Sequence, residues 1–199
     1  MQNNYILTGS IASGKSSVLQ IIADEGYMTI SADDVVKELY KDKGFLKSFK
    51  DLIGKEYFTE GLKLDKDKMR CDIFTDTAFK EKVEAFVHPL VYKKIKDMLV
   101  DGINFIEVPV FFEAKKYFDE ANIEIKGIIF VDIDKDIQVE RLMNRNNITK
   151  EEALSRIDTR VTNDKKLKAS GYIILNNSTH SDLKREVLKT LERINEEAN

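Results

Sequence analysis

Residues 9–16 read Gly9-Ser10-Ile11-Ala12-Ser13-Gly14-Lys15-Ser16, and this stretch decides the fold of the chain. It fits the pattern G-x-x-x-x-G-K-[ST], in which backbone N–H groups of a tight loop surround a chain of phosphates. The two glycines allow backbone angles that a side chain would forbid. Lys15 is expected to reach the β- and γ-phosphates of a nucleotide, and the Ser16 hydroxyl is expected to hold Mg²⁺. The residues predicted to bind nucleotide in this loop are Gly9, Ile11, Ala12, Ser13, Gly14, Lys15, Ser16 and Ser17.

The segments on either side of the loop supply the context that this pattern requires. Tyr5-Ile6-Leu7 is a short apolar run that is typical of a buried strand, and residues 17–25 carry apolar side chains at helical spacing. The alternative is an ordinary glycine turn. Strand, loop and helix in this order favour the phosphate-binding loop over that alternative.

Composition excludes several classes of partner. The 199 residues include 32 Lys and Arg against 35 Asp and Glu, for a net charge of −3. Proteins that bind nucleic acid non-specifically usually have a basic excess, so no nucleic-acid partner is expected. No apolar run approaches the length that spans a membrane, and residues 1–4 lack the features of a signal peptide. Cys71 is the single cysteine, which suits a reducing cytoplasm. We therefore expect a cytoplasmic monomer without a membrane partner.

Further strand patterns alternate with helical patterns along the chain. Strands are predicted at 27–31, 104–108, 127–132 and 172–175, with helices between them. Such alternation predicts a parallel sheet that helices cover on both faces. The fold class is therefore α/β, with a five-stranded parallel sheet of the P-loop nucleoside-triphosphate-hydrolase type.

The chain is predicted to form one domain with a helical insertion and a helical lid. The core comprises about 1–40, 103–135 and 170–199. The insertion, about 41–102, contains no strand pattern, and Pro89 is expected to mark a turn between helices. The lid, about 136–169, turns at Asn146-Asn147 and begins its second helix with a capping box at Thr149 and Glu152. This hairpin is expected to close over a nucleotide.

Acidic residues follow two of the predicted strands. Asp33 comes directly after the second strand, and ligands of open parallel sheets bind beyond the carboxyl ends of strands. It could accept the proton of an attacking hydroxyl, although a purely structural acid at a helix N-terminus is the alternative and Asp34 suits that role at least as well. Glu107 and Glu113 flank the end of the next strand of the sheet. Either could assist Mg²⁺ through water, and surface acids would produce the same pattern.

Arginines recur on the predicted lid. Arg141 and Arg145 lie four residues apart, so they share a helix face. They could neutralise charge on a transferred phosphoryl group, and Arg156 and Arg160 on the next helix could add to this effect. A solvated helix face whose arginines pair with neighbouring glutamates is the alternative.

These motifs, in this order, resemble those of the dephospho-coenzyme A kinase family, and the resemblance covers nearly the whole chain. The matching segments are residues 8–16 (family pattern T-G-G-I-G-S-G-K-S), Ser31-Ala32-Asp33 (D-A-D), His88-Pro89 (H-P), residues 107–113 (D-x-P-L-L-F-E), residues 138–145 (Q-x-x-R-L-x-x-R) and Ile174-Leu175-Asn176 (I-x-N).

The resemblance implies an enzyme that uses ATP and Mg²⁺ to phosphorylate the ribose 3′-hydroxyl of dephospho-coenzyme A, with the helical insertion as the coenzyme-binding lobe. The site residues that it implies are Asp33 as the base, Lys15 and Arg141 at the transferred group, Arg145 and Asn176 at ATP, and Arg70, Phe74 and His88 at the acceptor. Without the resemblance, a lone histidine such as His88 is more often structural.

The chain departs from the family pattern at several positions. Ser10 and Ala12 replace glycines, Ser31 replaces the first acid of D-A-D, Glu107 replaces an aspartate, and Arg160 stands where glutamine is usual. If the loop needs a positive φ at either of the first two positions, strain of about 1–3 kcal/mol follows.

Other functions share some of these residues. Another nucleoside monophosphate or small-molecule kinase would have the same loop and lid, and an inactive nucleotide-binding regulator would keep the loop. A GTPase-type switch needs D-x-x-G, which Asp51-Leu52-Ile53-Gly54 matches, but these residues end a helical pattern and N-K-x-D is absent from the sequence.

Overall fold

The protein contains a five-stranded parallel sheet and a separate antiparallel pair of short strands. The computed structural model of the protein describes residues 1–158 and 163–198. Within these residues the strands are β1 (Gln2–Gly9), β2 (Met28–Ser31), β3 (Phe58–Thr59), β4 (Lys63–Leu64), β5 (Gly102–Glu107), β6 (Ile125–Asp132) and β7 (Tyr172–Leu175). The order in the main sheet is β2-β5-β1-β6-β7, with every neighbouring pair parallel. The predicted α/β class and five-stranded sheet are confirmed.

Helices connect these strands. In the described residues the α-helices are α1 (Lys15–Asp24), α2 (Ala32–Leu39), α3 (Lys43–Ile53), α4 (Lys66–Thr75), α5 (Thr77–Met98), α6 (Phe111–Glu120), α7 (Lys135–Asn146), α8 (Lys150–Asp158), α9 (Asn163–Lys168) and α10 (His180–Ala198). Short 3₁₀ turns cover Lys55–Tyr57 and Glu60–Leu62. None of the helices within residues 1–158 and 163–198 has the length and apolar character needed to cross a membrane.

The chain divides into two compact units. The first unit comprises Met1–Ser31, Leu99–Lys115 and Ile123–Asn199, and the second comprises Ala32–Met98 and Lys116–Asn122. The main sheet belongs to the first unit, and the antiparallel pair belongs to the second. The functional division into core, insertion and lid stays a prediction.

Both faces of the main sheet are buried. One face packs against α1 and α10 in an apolar cluster, whose fully buried members include Leu7, Val18, Phe105, Ile129, Val131 and Val187. Because side chains alternate along a strand, Ile6, Ile106 and Phe130 point to the opposite face, and each of them is 0% exposed. Burial on both faces explains why the central strands read as continuous apolar runs.

Helices α7 and α8 form the predicted hairpin. Asn147 ends α7 with a left-handed φ of 50°, a conformation that asparagine tolerates better than most residues. Thr149 and Glu152 form the expected capping box: the Thr149 N–H donates to Glu152 Oε2 at 2.9 Å, and the Glu152 N–H donates to Thr149 Oγ1 at 3.3 Å. The sequence therefore predicted the turn and the start of α8 correctly.

An aromatic cluster organises the second unit. The rings of Phe45 and Phe49 in α3 stack with their centroids 5.3 Å apart, and Phe86 of α5 lies 5.9 Å from Phe49. Tyr40 contacts both α3 rings edge-on, at 5.1 and 5.6 Å. Ring pairs at these separations are favourable beyond the area that they bury.

Pro89 lies inside α5, so the predicted turn at this residue is wrong. A proline in a helix interior removes one backbone hydrogen bond and costs about 3 kcal/mol. The buried residues Val83, Val87, Val91 and Ile95 continue one apolar stripe on both sides of the proline. Burying each such side chain contributes about 1.5–3 kcal/mol, so the stripe outweighs the proline and the helix continues.

The expectation of no strand between Lys41 and Asp101 is also wrong. Strands β3 and β4 pair over two residues each, with Phe58 opposite Leu64. Gly61 lies between them with a φ of 74°, which reverses the chain. Two residues are too few to produce an alternating pattern, and this explains why the sequence did not reveal the pair.

Candidate active site

The glycine-rich loop joins β1 to α1 in the first unit. Gly9 ends β1 beside β6, and a Cβ on this residue would collide with the backbone oxygen of Val131. Gly14 has a left-handed φ of 91°, and its Cβ would collide with the side-chain amide of Asn176. Gly9 is therefore required by the close approach of backbone, and Gly14 is favoured both by its left-handed φ and by the side chain of Asn176.

The N-terminus of α1 directs backbone amides out of the helix. The N–H groups of Ser17 and Val18 make the first hydrogen bonds of the helix, to the oxygen of Gly14 at 3.0 and 3.2 Å. The amides of Gly14, Lys15 and Ser16 precede these bonds and lie at the positive end of the helix dipole. Such an end is suited to an anion.

Lys15 folds over the loop that precedes it. Its Nζ donates to the backbone oxygens of Gly9 at 3.1 Å and Ser10 at 2.8 Å. The ammonium group is thus held above the loop, where a phosphate would be a stronger partner than a neutral carbonyl. The hydroxyls of Ser10 and Ser13 are buried without a hydrogen-bond partner in the described residues, so the loop retains donors for a ligand.

Ser16 and Ser17 are exposed in the first turn of α1. Magnesium usually keeps several waters and takes only one or two protein ligands beside the phosphates of a substrate. Both hydroxyls next to the phosphate loop fit this requirement, and Ser16 is the one at the last position of G-x-x-x-x-G-K-[ST]. Ser16 is the residue that would hold the ion.

Ala12 has a φ of 58°, whereas Ser10 does not have a positive φ. Of the two positions at which a positive φ was expected to cause strain, only Ala12 has one. Ile11 and Ala12 pack against an apolar cluster of α7 and α8 that includes Val139, Leu142 and Ala153. The phosphate loop thus packs directly against the α7–α8 hairpin.

Gln138 was not predicted as a site residue, although it opens the Q-x-x-R-L-x-x-R segment. Its side chain is 3% exposed, and its Nε2 donates to the backbone oxygen of Ile11 at 2.7 Å. A buried amide needs a hydrogen-bond partner, and the Ile11 oxygen supplies it across a long stretch of sequence.

The predicted nucleotide residues Arg141, Arg145 and Asn176 meet the loop around one cavity of about 340 Å³. Asn176 is 5% exposed, and its Nδ2 donates to the Ser13 oxygen at 2.7 Å. Its Oδ1 lies 3.5 Å from Nη2 of Arg141. The remaining residues that line the cavity are Ala12, Gly14, Ser17, Ser178, His180 and Leu183. A volume above about 300 Å³ is typical of small-molecule sites.

Three of these lining residues were not predicted. Ser178, His180 and Leu183 lie at and just before the start of α10. His180 is exposed and borders the cavity. No local motif distinguishes these positions, because they reach the site only through the course of the chain after β7.

The acids at the end of β5 differ in their surroundings. Glu107 is 7% exposed and lies in register between Leu7 of β1 and Ser31 of β2. Glu113, in the first turn of α6, accepts a hydrogen bond from Nζ of Lys166 at 3.2 Å. The lysine side chain is 11% exposed, so Glu113 already compensates a largely buried charge. Arg156 is exposed on α8, and Arg160 lies outside the described residues.

The predicted acceptor residues belong to the second unit. Asp33 is the second residue of α2; its side chain is exposed and makes no hydrogen bond or ion pair within residues 1–158 and 163–198. Its neighbour Asp34 accepts from Nζ of Lys37 at 2.6 Å. Arg70 is exposed on α4, and Phe74 on the same helix is 82% exposed.

His88 lies half-buried in α5. Its ring centroid is 4.2 Å from that of Tyr117, and its Nδ1 is buried without a hydrogen-bond partner among the described residues. Burial lowers the pKa of His88 below its ordinary value of 6.5; the carboxylate of Glu84 raises this pKa, and the ammonium of Lys116 lowers it. The imidazole is therefore neutral at pH 7.

A parallel sheet in this strand order, with the phosphate loop after its central strand and arginines of a helical hairpin at the same cavity, defines a P-loop kinase. The family model described as "Dephospho-CoA kinase" matches residues 5–182. The chain belongs to the dephospho-CoA kinase family.

Individual relatives agree with this assignment. A curated dephospho-CoA kinase from Listeria innocua is 34% identical over 194 residues, which cover 94% of this chain and 94% of the relative. The solved structure of dephospho-CoA kinase from Campylobacter jejuni has 27% identity and a TM-score of 0.69, with 100% of each chain covered. A crystal structure of TT1252 from Thermus thermophilus has 25% identity and a TM-score of 0.80, with 96% of this chain and 97% of that chain covered.

Proposed function

We propose that the protein transfers the γ-phosphoryl group of ATP to the ribose 3′-hydroxyl of dephospho-coenzyme A, which gives coenzyme A and ADP in the last step of coenzyme A synthesis. The observation that carries the proposal is the convergence of Gly14, Arg141, Arg145 and Asn176 on one cavity. These residues come from three family motifs that are far apart in the sequence. Their meeting at a phosphate loop is what an ATP-dependent kinase requires.

The nucleotide is held by the first unit. The amides at the start of α1 and the Lys15 ammonium bind the β- and γ-phosphates, and Arg141 and Arg145 of α7 line the same cavity. Asn176 fixes the loop through the Ser13 oxygen and leaves its own oxygen facing Arg141. Magnesium, bound by Ser16, would neutralise charge on the phosphates.

The reaction joins the acceptor to the γ-phosphate. The 3′-oxygen forms a bond to the γ-phosphorus while the bond from that phosphorus to the bridging oxygen of ADP breaks, and the hydroxyl proton passes to the Asp33 carboxylate. Asp33 suits the role of base because its carboxylate is exposed and has no hydrogen-bond or ion-pair partner in the described part of the chain. Asp34, which is paired with Lys37, takes the structural role at the start of α2.

The acceptor is bound by the second unit. Dephospho-coenzyme A offers an aromatic base, a diphosphate and a long, partly apolar arm. An exposed guanidinium at Arg70 suits the diphosphate, and an exposed ring at Phe74 suits stacking on the base. His88 contributes a neutral imidazole. A cytoplasmic location and a monomeric state remain predictions.

The activity is tested by incubating the protein with Mg·ATP and dephospho-coenzyme A and by measuring the mass of the acceptor. We expect a gain of one phosphoryl group on the 3′-oxygen and an equal amount of ADP. Lys15→Ala serves as the inactive control, because it removes the charge above the loop while it leaves β1 and α1 unchanged. Preferential phosphorylation of a nucleoside monophosphate would favour a different kinase, and tight ATP binding without transfer would favour a regulator.

A further inference from the structure

The phosphate loop contains a tight turn with an unusual central residue. The N–H of Ser13 donates to the Ser10 oxygen at 3.3 Å, so Ile11 and Ala12 occupy the middle of a four-residue turn. Ala12 has a φ of 58°, and Ile11 is not among the residues with positive φ. A negative φ followed by a positive φ is the signature of a type II turn, which normally has glycine or asparagine where this chain has Ala12.

Alanine at this position favours a different turn. A type I turn joins the same two ends but gives its third residue a negative φ. The two turns differ by a rotation of the peptide between Ile11 and Ala12, which reverses its C=O and N–H. An L-residue with a side chain is strained in the left-handed region, so Ala12 alone would drive the peptide to the reversed orientation.

One buried side chain opposes this reversal. Nε2 of Gln138 donates to the Ile11 oxygen at 2.7 Å, and the glutamine side chain is 3% exposed. Reversing the peptide would turn the Ile11 oxygen away from α7 and leave the Gln138 amide buried without that partner. An unsatisfied buried amide is unfavourable, so the hydrogen bond holds the type II turn.

The orientation of this peptide decides what faces the nucleotide. Because the N–H and C=O of a peptide point in opposite directions, an Ile11 oxygen that points at α7 makes the Ala12 N–H point away from α7. Ala12 lines the cavity together with Gly14 and Arg141. We infer that Gln138 is a positioning residue for nucleotide binding: it locks the Ile11–Ala12 peptide so that the Ala12 N–H faces the phosphates. This inference rests on the proposed binding of ATP in this cavity.

The test uses the coupling between Gln138 and Ala12. Affinity for Mg·ATP is measured by calorimetry without acceptor for the wild-type protein, Gln138→Leu, Ala12→Gly and the double variant. If only about a tenth of the Gln138→Leu molecules keep the type II turn, which is the form that binds the phosphates, the apparent Kd for Mg·ATP rises about tenfold. Glycine accepts the positive φ without strain and keeps the N–H at position 12, so losing the Gln138 amide should matter less when glycine is present: the double variant should bind Mg·ATP within about threefold of Ala12→Gly, against the roughly tenfold loss that Gln138→Leu causes beside alanine.

A purely structural role for Gln138 gives a different pattern. In that case Ala12→Gly would not restore affinity, and the double variant would bind as weakly as Gln138→Leu or more weakly. That result, or wild-type affinity in Gln138→Leu, overturns the inference. If Gln138→Leu does not fold, Gln138→Met keeps the length of the side chain but loses the donor, and it is expected to show the same loss and the same rescue by glycine. Wild-type affinity in Gln138→Met overturns the inference as well.

Two controls separate this inference from the proposed function. Glu140→Gln changes an exposed residue on the same helix and should bind Mg·ATP like the wild type. Absence of Mg·ATP binding by the folded wild-type protein would contradict the proposed function itself. Normal wild-type binding together with an unchanged Gln138→Leu variant would contradict only the role of Gln138.

Discussion

Replacement of Asn176 tests whether the loop is held in place by the chain that follows β7. The Asn176 side chain is 5% exposed, and its Nδ2 donates to the Ser13 oxygen at 2.7 Å. Asn176→Ala removes a hydrogen bond with a net contribution of about 1 kcal/mol. The substitution also leaves the Ser13 oxygen without its donor. Because water from the cavity can replace the amide only in part, this costs about 1 kcal/mol more. The expected loss is therefore about 2 kcal/mol.

This loss is large enough to measure. For a chain of this size, 1 kcal/mol corresponds to a fall in Tm of roughly 2–4 °C, so we expect a fall of about 4–8 °C. The assay is urea unfolding combined with a thermal scan, both without nucleotide. The contact of Nη2 of Arg141 with Asn176 at 3.5 Å is too long to add a substantial contribution.

Asn176→Asp serves as the matched variant. It preserves the shape of the side chain but replaces the donor with a carboxylate that faces the Ser13 oxygen, so at pH 7 it should destabilise the fold at least as much as alanine does. At pH values below the pKa of the new carboxyl group, protonation restores a donor and part of the stability. If both variants unfold within about 0.5 kcal/mol of wild type, the Asn176–Ser13 bond does not hold the loop and this reasoning is refuted.

Three further perturbations test separate parts of the site. Asp33→Asn should lower kcat by roughly 10²–10⁴ with little change in ATP affinity, while Asp34→Asn stays near wild type; near-normal turnover in Asp33→Asn would exclude it as the base. Glu107→Gln should raise the Mg²⁺ concentration needed for half-maximal rate, and an unchanged Mg²⁺ requirement would count against a role for Glu107. Glu113→Gln should instead lower Tm, because the largely buried ammonium of Lys166 loses its negatively charged partner. Because the folded-state pKa of His88 lies below 6.5, its contribution to stability is complete above pH 6.5 and is lost as the pH falls from there through the lowered pKa. A plot of Tm against pH should therefore fall more steeply below pH 6.5 for wild type than for His88→Gln, and parallel plots would contradict the burial of a neutral imidazole.

The main sheet was predictable because each of its strands carries a strong local signal. The apolar run around Ile129 and Val131 is buried on both faces, and β7 spans the predicted residues 172–175. The sequence pattern gave a wrong prediction at Pro89, where packing in the folded protein outweighs the local tendency of proline to end a helix. Pro89 ordinarily ends a helix, but an apolar stripe continues through it and outweighs the lost hydrogen bond.

Within the site, the residues predicted from the sequence are those whose role follows from local backbone geometry. Gly14 and Lys15 follow from the geometry of a phosphate loop, and the pairing of Arg141 with Arg145 follows from helical spacing. Gln138 and Leu183 were missed because their roles depend on which elements become neighbours in space. Long-range contacts of this kind leave no mark in the local pattern.

The positions at which this chain keeps or replaces a family glycine distinguish two reasons for glycine in the loop: a lack of room for a Cβ and a positive φ. At Gly9 a Cβ would collide with the backbone oxygen of Val131. At Gly14 both reasons apply, because a Cβ would meet the side-chain amide of Asn176 and the residue has a left-handed φ of 91°. At Ala12 the demand is only conformational, since its methyl group packs against the α7–α8 cluster and the penalty is a positive φ. A conformational penalty of about 1–2 kcal/mol can be offset by one good hydrogen bond and a buried methyl group, whereas a collision with backbone cannot. The chain therefore keeps glycine at 9 and 14 and replaces it at 12, the position where Gln138 supplies the compensating contact.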